Sequence, residues 1–454
     1  MTQTFPPDFI FGASTAAYQI EGAWAADGKG ESMWDRFAHT PGKIEGGDTG
    51  DVACDHYHRF ESDLDLVRDA NLSAYRFSLN WTRILPQGTG RVNEAGLAFY
   101  DRLIDATLER GIDPWLCLYH WDYSQALSDR GGWTSRDSVD WYLELAHIAA
   151  TRFGDRIGHW IMFNEPSVFL SFGYLFGVHP PGLRDRDAFG AAVHHMSLAT
   201  ADGARLIRAE CPSAKVGTVL NLVPVEALSD DPGDLAAAAL ADNLLNRAYL
   251  DPIFRGAYPE PIATFAAPHI HDGDLERVRV DLDFLGVNHY SRARVGAVTA
   301  EQPATGSLAA LGSLGLRFAP PPPGEALTDM GWTVDPDGLF EALALVSRDY
   351  GPIPLFVTEN GGAFTDVVQP DGSIDDAPRV DLLHRYMGAV HRALEHGIDV
   401  RGYFVWSLLD NLEWHHGYKV RFGIVRVDFD TLERTPKRSF AWYSDLARTK
   451  ALPD

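Results

Sequence analysis

The chain has 454 residues, 45% of them hydrophobic, and its 12 Trp, 16 Tyr and 24 Phe can fill a large core with aromatic side chains to spare. A formal net charge of −24 opposes binding to nucleic acid, and no apolar run reaches membrane-spanning length. Three cysteines (Cys54, Cys117 and Cys211) argue against a disulfide framework, and a start without Lys or Arg in the first twenty residues is unlike a secretory signal, so the expectation is a soluble, cytoplasmic protein.

Short apolar runs alternate with amphipathic stretches from end to end, the pattern of a parallel α/β architecture. Core strands are expected near residues 9–15, 74–80, 114–120, 159–164, 215–221, 284–289, 354–358 and 401–406. Eight strands close a (β/α)8 TIM barrel, expected here as a single domain over residues 1–454 with elaborated βα loops on one face. Between the strands lie helical patterns. Glu94 to Arg110 carries Leu97, Tyr100, Leu103, Ile104 and Leu108 at three- and four-residue steps and stops at Gly111. Val139 to Phe153 behaves likewise, and Asp381 to Glu395 gathers Leu382, Leu383, Tyr386, Met387, Val390 and Leu394 before Gly397. Residues 300–325, rich in Ala, Gly, Ser and Pro, read as an irregular loop near the entrance to a site.

Two of the strand segments end in an asparagine-flanked glutamate: Phe163-Asn164-Glu165-Pro166 and Thr358-Glu359-Asn360-Gly361. A barrel presents its reactive groups at the C-terminal ends of its strands. Either glutamate alone could equally cap the helix that follows. Together they offer the two carboxyl groups that cleavage of a glycosidic bond needs, one acid and one nucleophile or base.

Other segments agree in chain order: Phe11-Gly12-Ala13-Ser14-Thr15-Ala16-Ala17-Tyr18-Gln19, Tyr75-Arg76-Phe77-Ser78, Tyr119-His120-Trp121-Asp122, Gly286-Val287-Asn288-His289-Tyr290 and Trp406-Ser407-Leu408-Leu409-Asp410-Asn411-Leu412-Glu413-Trp414. With the two glutamate motifs they resemble glycoside hydrolase family one, the retaining β-glucosidase family, from about residue 6 to about residue 446. The resemblance implies Glu165 as acid/base and Glu359 as nucleophile. It places Arg76 and Tyr290 beside Glu359, where a cation and a phenol donor would lower its pKa. Gln19, His120, Asn164, Glu413 and Trp414 match positions that bind glycone hydroxyls, and Trp406 matches the stacking platform. Trp121, Asn288 and Phe422 complete the expected binding set, with Trp332 as a platform for the aglycone.

The implied activity is that of a retaining, exo-acting β-glycosidase, foremost a β-glucosidase, acting on a small β-glycoside or cello-oligosaccharide without a cofactor. Glu413 speaks against the branch that takes 6-phosphorylated sugars, which has a small hydroxyl residue there; Lys419 nearby keeps that alternative open. A transglycosylase or a non-catalytic sugar-binding relative are the other readings. The chain departs from the family pattern at Tyr123, Ser124, Leu412, His415 and His416, which bears on substrate preference. The histidine pairs His56/His58, His194/His195 and His415/His416 lack further ligands at a recognisable spacing, so no metal site is expected.

Overall fold

Eight parallel strands form a closed barrel: β1 (Ile10–Ser14), β2 (Ala74–Ser78), β3 (Asp113–Cys117), β4 (His159–Asn164), β5 (Lys215–Asn221), β6 (Phe284–Asn288), β7 (Leu355–Asn360) and β8 (Val400–Trp406). The computed structural model describes residues 3–300, 303–304 and 311–453. Each strand pairs with its successor in sequence, and β8 pairs with β1 from Ile10↔Gly402 to Ser14↔Trp406. Every barrel strand overlaps one of the eight expected segments, with ends that differ by up to three residues. Helices cover the outside of the barrel, so its strands are buried on both faces and read as near-continuous apolar runs.

Large aromatic residues plug the interior. The Trp115 ring lies 5.2 Å from Phe284, 4.8 Å from Phe356 and 5.0 Å from Phe404, with Ile161, Val219 and Cys117 around them. Room for Phe404 depends on Gly12, where a Cβ would stand 2.4 Å from that ring and 2.9 Å from the carbonyl of Ala74. The plug leaves the C-terminal strand ends as the place where polar side chains can meet.

Helices Glu94–Glu109 and Ser138–Phe153 match the sequence patterns to within a residue. The helix between β7 and β8 starts earlier than expected, at Ala377, and runs to Glu395. Pro378 sits in its first turn, where a missing N–H costs nothing because no intrahelical partner exists there. Residues 300–325 are not wholly irregular. Leu316–Ala319 is a strand, antiparallel to Ala293–Ala297, which in turn pairs parallel with Val225–Ala227. The turn signals of this segment hid a four-residue strand whose partner, among the described residues, is Ala293–Ala297. Residues 301–302 and 305–310 of the expected loop fall outside the described residues. All three cysteines are free and buried, and among the described residues no helix is long and apolar enough to cross a membrane.

Candidate active site

The barrel brings one polar residue after another to its C-terminal rim. Arg76 lies in β2, His120 and Trp121 just past β3, Asn164 at the end of β4, Asn221 at the end of β5, Asn288 at the end of β6, Glu359 near the end of β7 and Trp406 at the end of β8. The ladders align them: Asn221 is opposite Asn288, and Asn288 is opposite Glu359. Glu165 follows β4 with φ of 48° and occupies the N-cap position of the short helix Pro166–Leu170, yet its side chain accepts no capping hydrogen bond. Its carboxyl is therefore free for other work, which decides against the capping role. Trp121 (φ 75°) and Trp414 (φ 50°) also have left-handed backbones, a conformation unfavourable for bulky residues and held where side-chain direction matters.

One hydrogen-bonded network joins the two glutamates. Arg76 Nη1 donates to Glu359 Oε1 and Nη2 to Asn164 Oδ1, each at 2.5 Å. The Tyr290 hydroxyl donates to Glu359 Oε2 at 2.9 Å. Asn288 Nδ2 donates to Glu165 Oε1 at 2.8 Å and to Asn164 Oδ1 at 3.1 Å, while Asn288 Oδ1 accepts from Thr358 Oγ1 at 2.7 Å. Glu359 thus has a guanidinium and a phenol, and Glu165 a neutral amide. Burial raises both carboxyls. The expected lowering of Glu359 is overridden by that burial, although Arg76 and Tyr290 pull against it. For Glu165 the nearby charge of Glu359 adds to burial and pushes it well above the ordinary carboxylate range. The two environments set the pair apart, with Glu165 the last to ionise.

Around them lies a cavity of about 190 Å³. Tyr290, Trp332 and Phe422 form one wall, with ring centroids 5.3–6.1 Å apart. The His120 ring stacks near Trp406 at 5.9 Å, and Trp121 lies 4.4 Å from Trp414. Asn164 Oδ1 is occupied by donors, so its Nδ2 donates to His120 Nε2 at 3.0 Å. The His120 proton then sits on Nδ1, which has no partner among the described residues. Burial and the charge of Arg76 keep this ring neutral. Gln19 donates from Nε2 to Leu412 O at 2.8 Å and Asn411 Oδ1 at 3.0 Å, leaving its buried Oε1 without a partner among the described residues. A buried donor and a buried acceptor left unmatched suit a ligand rich in hydroxyls.

Among the described residues the Glu413 carboxyl receives only a long contact from Gln19, at 3.5 Å. Burial, followed by the charge of Glu359, pushes its carboxyl up to about 8. The folded state therefore holds a proton there that the unfolded chain has already released, and stability falls as pH rises from about 4.5 towards about 8. Glu413→Gln removes that dependence. Relative to wild type it is expected to gain stability by a few kcal/mol between about pH 5 and about pH 8, measured by urea unfolding at both values. An identical difference at the two pH values would contradict the burial argument.

A match to the model for glycosyl hydrolase family 1 covers residues 1–452. Beta-glucosidase A of Thermotoga maritima is 42% identical, with 99% of each chain covered. A bifunctional beta-D-glucosidase/beta-D-fucosidase of Bifidobacterium breve is also 42% identical, covering 98% of each. Among solved structures, the Thermotoga maritima beta-glucosidase in complex with glucoimidazole superposes with a TM-score of 0.93 at 41% identity, over 99% of this chain and 100% of that one.

The chain belongs to glycosyl hydrolase family 1.

Of the residues anticipated for this family 1 site, Glu165, Glu359, Tyr290, His120, Trp121, Trp332, Trp406, Glu413, Trp414 and Phe422 line the cavity. Arg76, Asn164, Asn288 and Gln19 stand behind them, fully buried and hydrogen-bonded into the network. The sequence reading missed Val168, Phe172, His179, Asn221 and Met330 in the lining. Asn221 carried a usable signal, a polar residue closing an apolar strand. The others did not. His179 Nε2 lies 3.1 Å from Nδ1 of His415, a contact between distant parts of the chain. His415 and His416 both line the cavity, and His416 Nδ1 meets Glu45 at 2.9 Å. The remaining pairs are engaged separately: His56 bonds Asp63 and His58 bonds Asp55, while His194 bonds Asp274 and Tyr258 and His195 bonds the carbonyl of Trp133. Among the described residues no group of three or more His, Cys, Asp or Glu is placed to hold a metal. Lys419 is 72% exposed and paired with Glu45 at 3.1 Å, outside the cavity. The described part of residues 300–325 does not line it either; the turn at Met330 and Trp332 does.

Proposed function

We propose that this enzyme is a retaining, exo-acting β-glucosidase that releases the terminal non-reducing β-D-glucosyl unit of a small glycoside or cello-oligosaccharide, the whole chain acting as one domain. The observation that carries the reading is the unequal pair of buried carboxyls. Glu359, neutralised by Arg76 and Tyr290, attacks the anomeric carbon. Glu165, held protonated, donates to the departing oxygen and then takes the proton from the water that breaks the glycosyl-enzyme. Asn164, His120, Gln19 and Glu413 orient the hydroxyls, and Trp406 with Trp414 offers flat apolar faces to the ring. A cavity of about 190 Å³ suits one glycone with its aglycone towards the mouth, at Trp332, and not an extended glucan threaded through. The names of the relatives support glucose as the glycone, and the Bifidobacterium breve relative's name adds fucose as a second sugar to test. Three free, buried thiols fit a reducing, cytoplasmic setting.

The active form has Glu359 ionised and Glu165 protonated. Activity therefore rises with pH through the titration of Glu359 and falls through that of Glu165, whose upward displacement carries the alkaline limb beyond the ordinary carboxylate range. No Lys or Arg is among the residues lining the cavity, so a 6-phosphate would enter beside Glu413 without a cation. Proton NMR of the hydrolysis of a neutral β-glucoside and of its 6-phosphate tests both points. The β-anomer of glucose is expected first, with kcat/KM for the neutral substrate higher by about a hundredfold or more. The α-anomer appearing first would overturn retention. A preference for the phosphorylated substrate would overturn the reading of Glu413.

A further inference from the structure

Behind the sugar-facing loops lies a knot of buried charge that makes no contact with the two glutamates. Asp410 stands on the segment after β8, three residues before Glu413, and Asp366 on the segment after β7, seven residues past Glu359. Lys437, which immediately precedes the last helix (Arg438–Thr449), reaches between them. Its Nζ donates to Asp410 Oδ1 at 2.9 Å and lies 2.8 Å from Asp366 Oδ2. The second contact is a buried ion pair. All three side chains are at most 3% exposed. Arg421 Nη1 binds Asp410 Oδ2 at 2.8 Å, and the Gly423 N–H donates to Asp410 Oδ1 at 2.9 Å. Arg379 pairs with Asp376, lies 3.7 Å from Asp366 and donates to the carbonyl of Arg421 at 2.7 Å. Three carboxylates are thus matched by three cations.

Buried ion pairs are weak evidence for stability, because desolvation offsets their attraction. Their geometry is nevertheless exacting, since any charge left unmatched in this interior is strongly unfavourable. Here the geometry connects the segment that carries Glu413 and Trp414 with the one that carries Glu359, all three lining the cavity. One runs from Asp410 through Asn411 and Leu412, both held by Gln19, to Glu413 and Trp414. The other runs back from Asp366 to Glu359. Resting on the function proposed above, we infer that Lys437 is a positioning residue for the glycone site. By joining Asp410 to Asp366 it sets where Glu413 and Trp414 stand relative to Glu359, without touching the sugar.

The test uses the 454-residue chain and p-nitrophenyl β-glucoside. Wild-type turnover together with an inactive Glu359→Ala variant establishes the reaction; a wild type without turnover would sink the functional reading and the inference with it. Given turnover, Lys437→Met is expected to raise KM by about tenfold with a smaller change in kcat, as a displacement of bound groups by a fraction of an ångström does. Lys437 acts through Glu413, so Lys437→Met/Glu413→Gln is expected to lose little more kcat/KM than Glu413→Gln alone. A merely structural lysine would give losses that multiply. Lys437→Met leaves two carboxylates facing each other and so endangers folding. Asp366→Asn is run alongside it, because it keeps the Lys437–Asp410 bond, and is expected to raise KM by about threefold in a folded protein. An unchanged KM in folded Asp366→Asn, or multiplying losses in the double variant, would overturn the proposal.

Discussion

Replacing Glu359 by Ala is expected to lower kcat for a β-glucoside on the order of 10⁶-fold, the scale on which loss of a covalent nucleophile is felt in other hydrolases. The side chain that would attack the anomeric carbon is gone, and the cavity left beside Arg76 and Tyr290 keeps its positive character. A small anion fits that place. Azide added with an activated nitrophenyl β-glucoside is therefore expected to attack directly from the vacated side, with Glu165 still available as acid. The product is the α-glycosyl azide, one displacement having inverted the centre. NMR of the product reads the configuration directly. A β-azide from this variant would mean that the nucleophile is another group, and that Glu359 does not attack.

Glu165→Ala removes the proton donor of the first step and the base of the second. For an alkyl glycoside, whose leaving group needs the proton, kcat/KM is expected to fall by about 10²–10⁴-fold. A nitrophenolate departs without much help, so the first step survives better for that substrate and the glycosyl-enzyme accumulates. A burst of nitrophenol followed by slow turnover is the kinetic sign. Azide needs no base and is expected to restore turnover, giving the β-glycosyl azide by a second inversion. Equal losses for both leaving groups, with no rescue, would remove Glu165 from the acid/base role. The alkaline limb of the pH profile is also expected to vanish, since the group raised well above the ordinary carboxylate range is no longer present.

Much of this molecule was legible in one dimension. Parallel barrel strands are buried on both faces and read as short apolar runs, and all eight lie where those runs predicted. Each glutamate closes such a run, so strand position alone put Glu165 and Glu359 on the same rim. The apolar pattern begins only at Leu382 and so missed the helix start at Ala377, where Pro378 sits in a first turn that has no intrahelical bond to lose. Leu316–Ala319 went unread for a different reason: a four-residue strand is defined by its partner Ala293–Ala297 more than by its own composition.

What only the tertiary structure decided is everything that depends on distance across the barrel. Local sequence identifies Arg76, Tyr290, Asn288 and Glu359. It does not say that burial outweighs the cation and lifts Glu359, nor that Glu413 titrates near 8, because desolvation depends on what surrounds a group in three dimensions. Nor could it hand Nδ1 of His120 a proton with no partner among the described residues, a result that follows from the donors already occupying Asn164. The meeting of His179 with His415, and of Lys437 with Asp366 and Asp410, joins segments far apart in the chain. Periodicity and motif record which face of an element turns inward. Which inward-facing charges meet is settled only when the barrel closes.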